Sequence, residues 1–201
     1  MSELGEWNLP ANPIELFSAW FAEARADASI RLPEAVHLAT LGAGGYPEDR
    51  VVLLKDFSDK GFAFYTNVRS AKGKALKKNP KAALTFYWMA LNRQVRIVGD
   101  VAAVTPKEAD AYFATRPRGS QLAAWASDQS EIVSGRETLE KRVVEAAAKF
   151  PKTVSRPPYW SGFRLKPVSI EYWINRDNRL HDRFLYRKAA RGWKAPVRLA
   201  P

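Results

Sequence analysis

The chain of 201 residues has no cysteine, only two histidines and only two methionines. The missing thiols exclude disulfides, thiolate metal sites and cysteine nucleophiles, and they suit a reducing compartment. His37 and His181 lie far apart in sequence, so no metal site is expected. Long apolar runs are also lacking: nothing approaches the ~18 residues that span a bilayer. Residues 1–10 carry two glutamates and no basic cluster before an apolar stretch, unlike a secretory signal. A soluble cytoplasmic protein is therefore expected. Acidic residues are the last shortage, 21 against 32 lysines and arginines, which leaves a formal charge of +11. Such a balance points to anionic partners, either nucleic acid or small ligands. The densest basic run, Lys72, Lys74, Lys77, Lys78 and Lys81, has near-helical spacing and reads as a solvated helix face. No zinc-finger spacing, heptad repeat or RNA-binding aromatic signature accompanies it. Nucleic acid is not the expected partner.

What is present suffices for one sizeable core, with 46% hydrophobic residues. The expected organisation is a short arm over 1–11 and a single domain over 12–201. Asn12-Pro13-Ile14-Glu15 reads as a helix start, and Ile14, Phe17, Phe21 and Ala24 continue at helical spacing to about residue 27. Strands are expected at 35–41, 50–55, 62–66, 82–88 and 94–104. A helix over 70–79 interrupts them. Thr105-Pro106-Lys107-Glu108 forms a capping box that opens a helix to about Thr115. Further helices are expected at 121–126 and from 134 to about 150. The chain closes with strands at 168–174, 182–187 and 192–198. Many short strands with few crossovers predict a mostly antiparallel barrel with peripheral helices, an α+β fold rather than a doubly wound sheet.

Gly42-Ala43-Gly44-Gly45 fails as a dinucleotide loop, because Pro47 takes the third glycine's place and a strand follows; a hairpin turn is expected. His37, in a half-buried strand pattern, reads as structural. Other stretches suit anions. Tyr112 and Arg116 share a helix face, and Ser120 is positioned to cap the next helix, which makes a phosphate corner or an ordinary cap with a surface arginine. Arg50 and Lys55 bracket Val51, Val52, Leu53 and Leu54; as a plain strand their offset sends them to opposite faces unless the strand bends. Tyr65 and Thr66 lead to Ser70, Lys72 and Lys74 at a helix start. Arg179-Leu180-His181-Asp182-Arg183-Phe184, if extended, places Arg179, His181 and Arg183 on one face. These three either surround something electron-rich or blunt a strand edge with charge.

Taken as a set, these blocks resemble the pyridoxamine 5′-phosphate oxidase family, in family order and over nearly the whole chain after residue 10. The runs 116–121 and 179–184 carry the resemblance most specifically. It implies an FMN-binding split-barrel homodimer with the flavin across the subunit interface. It also implies oxidation of pyridoxamine or pyridoxine 5′-phosphate to pyridoxal 5′-phosphate, with dioxygen as acceptor and hydrogen peroxide as product. By the same resemblance, Arg50, Lys72, Gln129 and Ser130 hold FMN, together with Tyr65, Thr66, Gln94, Trp173, Arg183 and the chain from Val51 to Lys55. Lys55, Tyr112, Arg116 and Ser120 match the clamp on the substrate phosphate, and Arg179 and His181 match the residues over the substrate ring. Ala71 departs from the family's usual arginine, and Arg69 is the candidate substitute. The short N-terminus gives no expectation of a lid. Two other readings are a flavin oxidase of phenazine-type biosynthesis and a non-catalytic flavin- or RNA-binding barrel.

Overall fold

The computed structural model describes residues 9–201; of the arm expected over 1–11, residues 1–8 lie outside the described residues. Asn12 accepts the Ile14 amide at 3.0 Å and Pro13 occupies the first helical position, which starts helix α1, Pro13–Ala26. Its buried face carries Ile14, Phe17, Trp20 and Ala24. Phe17 meets Phe57, Phe62 and Phe86 at ring separations of 4.9, 4.9 and 5.2 Å. Removing that ring would cost about 3–5 kcal/mol in cavity and transfer terms. Two tyrosines buried in the sheet anchor the helix entry, with Tyr172 donating to the Pro13 carbonyl and Tyr186 to that of Pro10.

The sheet contains β1 (Ala35–Leu41), β2 (Pro47–Leu53), β3 (Asp56–Ser58), β4 (Gly61–Asn67), β5 (Lys81–Trp88), β6 (Arg93–Ala103), β7 (Trp160–Ile174), β8 (Asp182–Arg187) and β9 (Val197–Arg198). All pairings are antiparallel, in the order β2-β1-β5-β6-β7-β4-β3, with β8 on β7 and β9 on β8. The expected hairpin joins β1 and β2, with Gly45 at φ 82°, a conformation that favours glycine.

β7 explains why the barrel is split. Its first part pairs with β4 and its second with β8, while β6 runs along the opposite edge. Between the two parts stands Pro167, which has no N–H to donate, facing a register shift at Val98 and Gly99. The sheet forks there. The same proline hides the first half of the strand in the sequence, where only 168–174 reads as β.

Helices α2 (Ala71–Lys78), α3 (Pro106–Thr115), α4 (Arg118–Ala126) and α5 (Arg136–Lys149) surround the sheet. The Thr105–Glu108 capping box forms as the sequence indicates. The structure corrects several other expectations. β2 stops at Leu53, where the chain bends: the Leu54 and Lys55 amides donate to Glu34 and Ala63. α4 starts at Arg118 with Pro117 as its cap, so Ser120 lies inside the first turn and caps nothing; the Pro117 carbonyl receives the Ser120 and Gln121 amides. The last strand shrinks to Val197–Arg198, with an isolated bridge between Lys188 and Trp193. A small second core of Phe113, Leu122, Ala146, Val154 and Trp160 lies under α3, α4 and α5. Among the described residues, no helix is long and apolar enough to cross a membrane.

Candidate active site

A cavity of about 540 Å³ is lined by residues from β2, β4, β7, α2, α3 and α4. Lys55, Lys72 and Arg116 line it, and among the described residues no carboxylate does. The charge excess that the sequence spreads over the chain is thus locally unbalanced here, which suits an anionic ligand.

One cationic corner is built at the start of α2. The Lys72 amine lies 3.3 Å from Gln129 Oε1 and 3.5 Å from Thr66 Oγ1, and Thr66 donates to Gln129 at 3.0 Å. Ser130 Oγ accepts the Ala71 amide at 3.2 Å, joining this loop to the helix start. Burial, and then the nearby Arg50 charge, lower the Lys72 pKa below the ordinary lysine value. Arg50 lies behind the lining and is held by Glu48 at 2.8 Å, Thr40 and the Leu38 carbonyl. An anion in this corner would offset both the burial and the repulsion.

The second corner centres on Arg116, the residue that ends α3. Pro117 forces the chain out of the helix, and the Arg116 guanidinium lies 4.7 Å over the Trp160 ring and 5.6 Å from Phe113. Its Nη1 is buried with no hydrogen-bond partner among the described residues. Burial lowers the Arg116 pKa. Tyr112, Ser120 and Lys55 line the same cavity. Tyr65 stacks on Tyr112 at 4.2 Å and lies nearly parallel to Trp160 at 5.5 Å. This aromatic layer needs Gly162, the residue paired with Tyr65: a Cβ there would lie 2.6 Å from the Tyr65 ring. Burial, then Glu108, raise the Tyr65 pKa, so its hydroxyl stays a donor at neutral pH.

Of the expected site residues, Val51, Val52, Leu53, Lys55, Tyr65, Thr66, Lys72, Tyr112, Arg116, Ser120 and Gln129 line this cavity. Leu54 turns into the core, only 5% exposed. The bend after Leu53 answers the question of the opposed faces of Arg50 and Lys55. Arg69 does not join the cavity lining; its guanidinium sits 4.9 Å over the Tyr159 ring.

Gln94, Trp173, Arg179, His181 and Arg183 form a second group, absent from that lining. Gln94, Trp173 and Arg183 stand directly opposite one another across β6, β7 and β8. Arg183 donates to the buried Glu171 at 2.8 Å, which also takes Arg96. The His181 ring lies 4.6 Å from that of Trp173. The extended reading of 179–184 fails at its start. Residues Asp177–Arg179 form a short 3-10 turn, Asn178 and Arg179 have φ of 55° and 62°, and the strand begins only at Asp182. Arg179, His181 and Arg183 are therefore not one alternating row. Leu180 is exposed, whereas Asp182 and Phe184 are buried.

The sequence reading overlooked Trp160, Glu171 and Asp182. Trp160 offered one signal, an aromatic two residues before a glycine; the two carboxylates offered none, because an isolated acid in a strand ordinarily reads as solvated.

Comparison with known proteins places these groups in context. Residues 22–150 match the family model described as pyridoxamine 5′-phosphate oxidase. Residues 160–201 match the pyridoxine 5′-phosphate oxidase C-terminal dimerisation region. The chain belongs to the pyridoxamine 5′-phosphate oxidase family. It is an oxidoreductase, and the second group of residues, Gln94 apart, falls inside the dimerisation region. The pyridoxine/pyridoxamine 5′-phosphate oxidase of Cupriavidus taiwanensis is 48% identical over all of this chain and 94% of its own length. That of Caulobacter vibrioides is 52% identical over 90% of this chain and 82% of its own. Among solved structures, PhzG from Burkholderia lata 383, in complex with tetrahydrophenazine-1-carboxylic acid, superposes with a TM-score of 0.90. It is 31% identical, over 96% of this chain and 95% of that one. A pyridoxamine 5′-phosphate oxidase-related, FMN-binding protein from Nostoc punctiforme shares the fold, with a TM-score of 0.74 at 18% identity over 99% of this chain and 100% of that one.

Proposed function

We propose that this enzyme oxidises pyridoxamine or pyridoxine 5′-phosphate to pyridoxal 5′-phosphate, using FMN and dioxygen and releasing hydrogen peroxide. The carrying observation is the Arg116 corner, a half-buried cation whose Nη1 is buried with no partner among the described residues, in a cavity that Lys55, Tyr112 and Ser120 also line. A phosphate ester, with about −1.5 to −2 charge, suits such a corner and the added Lys55 charge better than the single carboxylate of the tricyclic acid named for PhzG. The family matches and relatives named for this activity support the same reading.

The residues present also fit FMN. Lys72, Thr66, Gln129 and Ser130 suit its phosphate, with Arg50 behind them adding positive charge. Gln94, Trp173 and Arg183 are assigned to the flavin from the second group. Both groups serve one site if two copies of the chain pair, so that the dimerisation region of one meets the cavity of the other. FMN, when bound, supplies the acceptor for the hydride leaving C4′ of the substrate.

The chain's own part is binding and orientation. Lys55, Tyr112, Arg116 and Ser120 fix the non-reacting end of the substrate, so binding energy remote from C4′ is used for orientation. Arg179 and His181 cover the substrate ring and orient the amine or hydroxyl on C4′, which assists loss of its proton. The purified protein should show flavin absorbance that bleaches when pyridoxamine 5′-phosphate is added without oxygen. Unphosphorylated pyridoxine should act far more weakly. Equal rates with both compounds, or bleaching by a reduced phenazine carboxylate alone, would sink the reading.

A further inference from the structure

His181 and Arg179 sit on a seven-residue connection between β7 and β8, an exposed turn in which two non-glycine residues hold positive φ. Such backbone persists only where its surroundings fix it. Several contacts do so. The Asn175 amide donates to the Asn92 carbonyl at 2.8 Å, the Leu180 amide to the Asp177 carbonyl at 3.1 Å, and the Arg176 amide to His181 Nδ1 at 3.2 Å. Another comes from below: Arg176 Nε donates to Asp182 Oδ2 at 2.8 Å. Asp182 is the first residue of β8, only 4% exposed, and its other oxygen accepts Arg198 Nη1 from β9 at 2.7 Å.

We propose that Asp182 is a positioning residue for His181, acting through Arg176. The buried carboxylate anchors the Arg176 side chain, which locates the Arg176 main-chain N–H against His181 Nδ1. A donor facing Nδ1 requires a lone pair there, so neutral His181 carries its proton on Nε2. The Trp173 ring, 4.6 Å away, limits how far the imidazole can turn. Nε2–H is then the edge presented outward, a hydrogen-bond donor of fixed direction. Asp182 touches neither His181 nor the outward edge; its effect is on tautomer and aim. The catalytic significance rests on the role given to His181 above, whereas the tautomer assignment does not.

The test separates these two levels. With only two histidines in the chain, the His37→Gln variant leaves the ¹⁵N ring signals of His181 unambiguous. In that background the neutral ring should show a single Nε2–H tautomer. Asp182→Asn and Arg176→Ala should convert it to a mixture of tautomers. Both should lower kcat by about 10- to 100-fold with flavin affinity within about twofold of the parent, since misaiming by about 1 Å is costly. Arg198→Ala removes the other partner of the same carboxylate and serves as the structural control: it should lower thermal stability while leaving tautomer and kcat unchanged. Should Asp182→Asn not fold, Arg176→Ala and Arg176→Gln carry the test alone. A folded Asp182 or Arg176 variant with the parent's single tautomer overturns the proposal, as does a tautomer mixture in Arg198→Ala equal to that of Asp182→Asn. A tautomer change with unaltered kcat supports the positioning and instead removes His181 from the catalytic reading.

Discussion

Replacing Arg116 by methionine should separate stability from activity. In the free protein the Arg116 guanidinium holds one buried nitrogen without a partner among the described residues. A buried unsatisfied donor costs about 1–3 kcal/mol. Against that stand two ring contacts, with Trp160 at 4.7 Å and Phe113 at 5.6 Å, worth about 0.5–2 kcal/mol together at a partly desolvated site. Methionine keeps most of the apolar contact and removes the unpaired donor, so folding should be unchanged or more favourable by about 1 kcal/mol. For a chain of this size that corresponds to a rise in Tm of about 2–4 °C. Binding of a phosphorylated substrate should suffer in the opposite sense. A charge-assisted hydrogen bond contributes about 1.5–3 kcal/mol, so kcat/KM for pyridoxine 5′-phosphate should fall about 10- to 160-fold. Arg116→Lys keeps the charge but loses the planar fork and its stacking, and should recover only part of that loss. Steady-state peroxide production and a thermal melt on the same preparations measure both. A methionine variant that melts more than about 5 °C below the parent would show that Arg116 is a structural pillar. One with unchanged kcat/KM would show that the phosphate is held elsewhere.

Two further outcomes follow from single contacts. Ala71→Arg should add a cation beside Lys72 at the exposed start of α2 and tighten FMN binding by about tenfold, read by quenching of flavin fluorescence on titration; unchanged affinity would mean that the flavin phosphate lies away from this corner. Glu108 accepts from the Thr105 amide and hydroxyl and from Arg164, which lower its pKa to about 2. A depressed carboxyl stabilises the fold above its ordinary pKa of about 4.3 and loses that contribution as pH falls toward 2. Glu108→Gln should therefore be less stable than the parent at pH 7, by no more than about 1 kcal/mol given how exposed the carboxyl is. The two melting curves should converge in acid, and a constant gap down to pH 2 would refute the assignment.

How much of this architecture was legible from the sequence depends on where its determinants lie. Local rules read well: the Asn12-Pro13 start, the Thr105–Glu108 box and the glycine turn before β2 each depend on a few neighbouring residues, and each stands where the sequence indicates. The strands of the middle sheet were legible because alternation is also local. β7 was half hidden. Pro167 argues against a central strand, and what makes it tolerable is a fork in pairing, with β4 before it and β8 after it, which involves residues about 100 positions away. The first turn of α4, residues 118–120, escaped because Pro117 and Gly119 both read as breakers, yet Pro117 stands at the helix cap and Gly119 merely occupies that turn.

The candidate site divides along the same line. The phosphate-suited residues could be named one at a time, since lysines and arginines beside helix ends announce themselves, and the fold gathers most of them around one cavity. What decides their chemistry did not show. Arg116 differs from any surface arginine only because Trp160, 44 positions later, lies beneath it and buries one nitrogen. His181 differs from any strand histidine because the chain kinks at Asn178 and Arg179 and a main-chain N–H faces its Nδ1. In each case the informative partner is an aromatic face, a backbone donor or a buried acid whose residue type is unremarkable alone. Two carboxylates, Glu171 and Asp182, each take two arginines at the foot of the second group. An acid so enclosed costs desolvation that its partners must offset. Hydrophobic replacements of similar volume would satisfy a core at that position. The charges fit the roles proposed above for Arg183 and for Arg176, which these acids aim, while Arg198 ties Asp182 to β9.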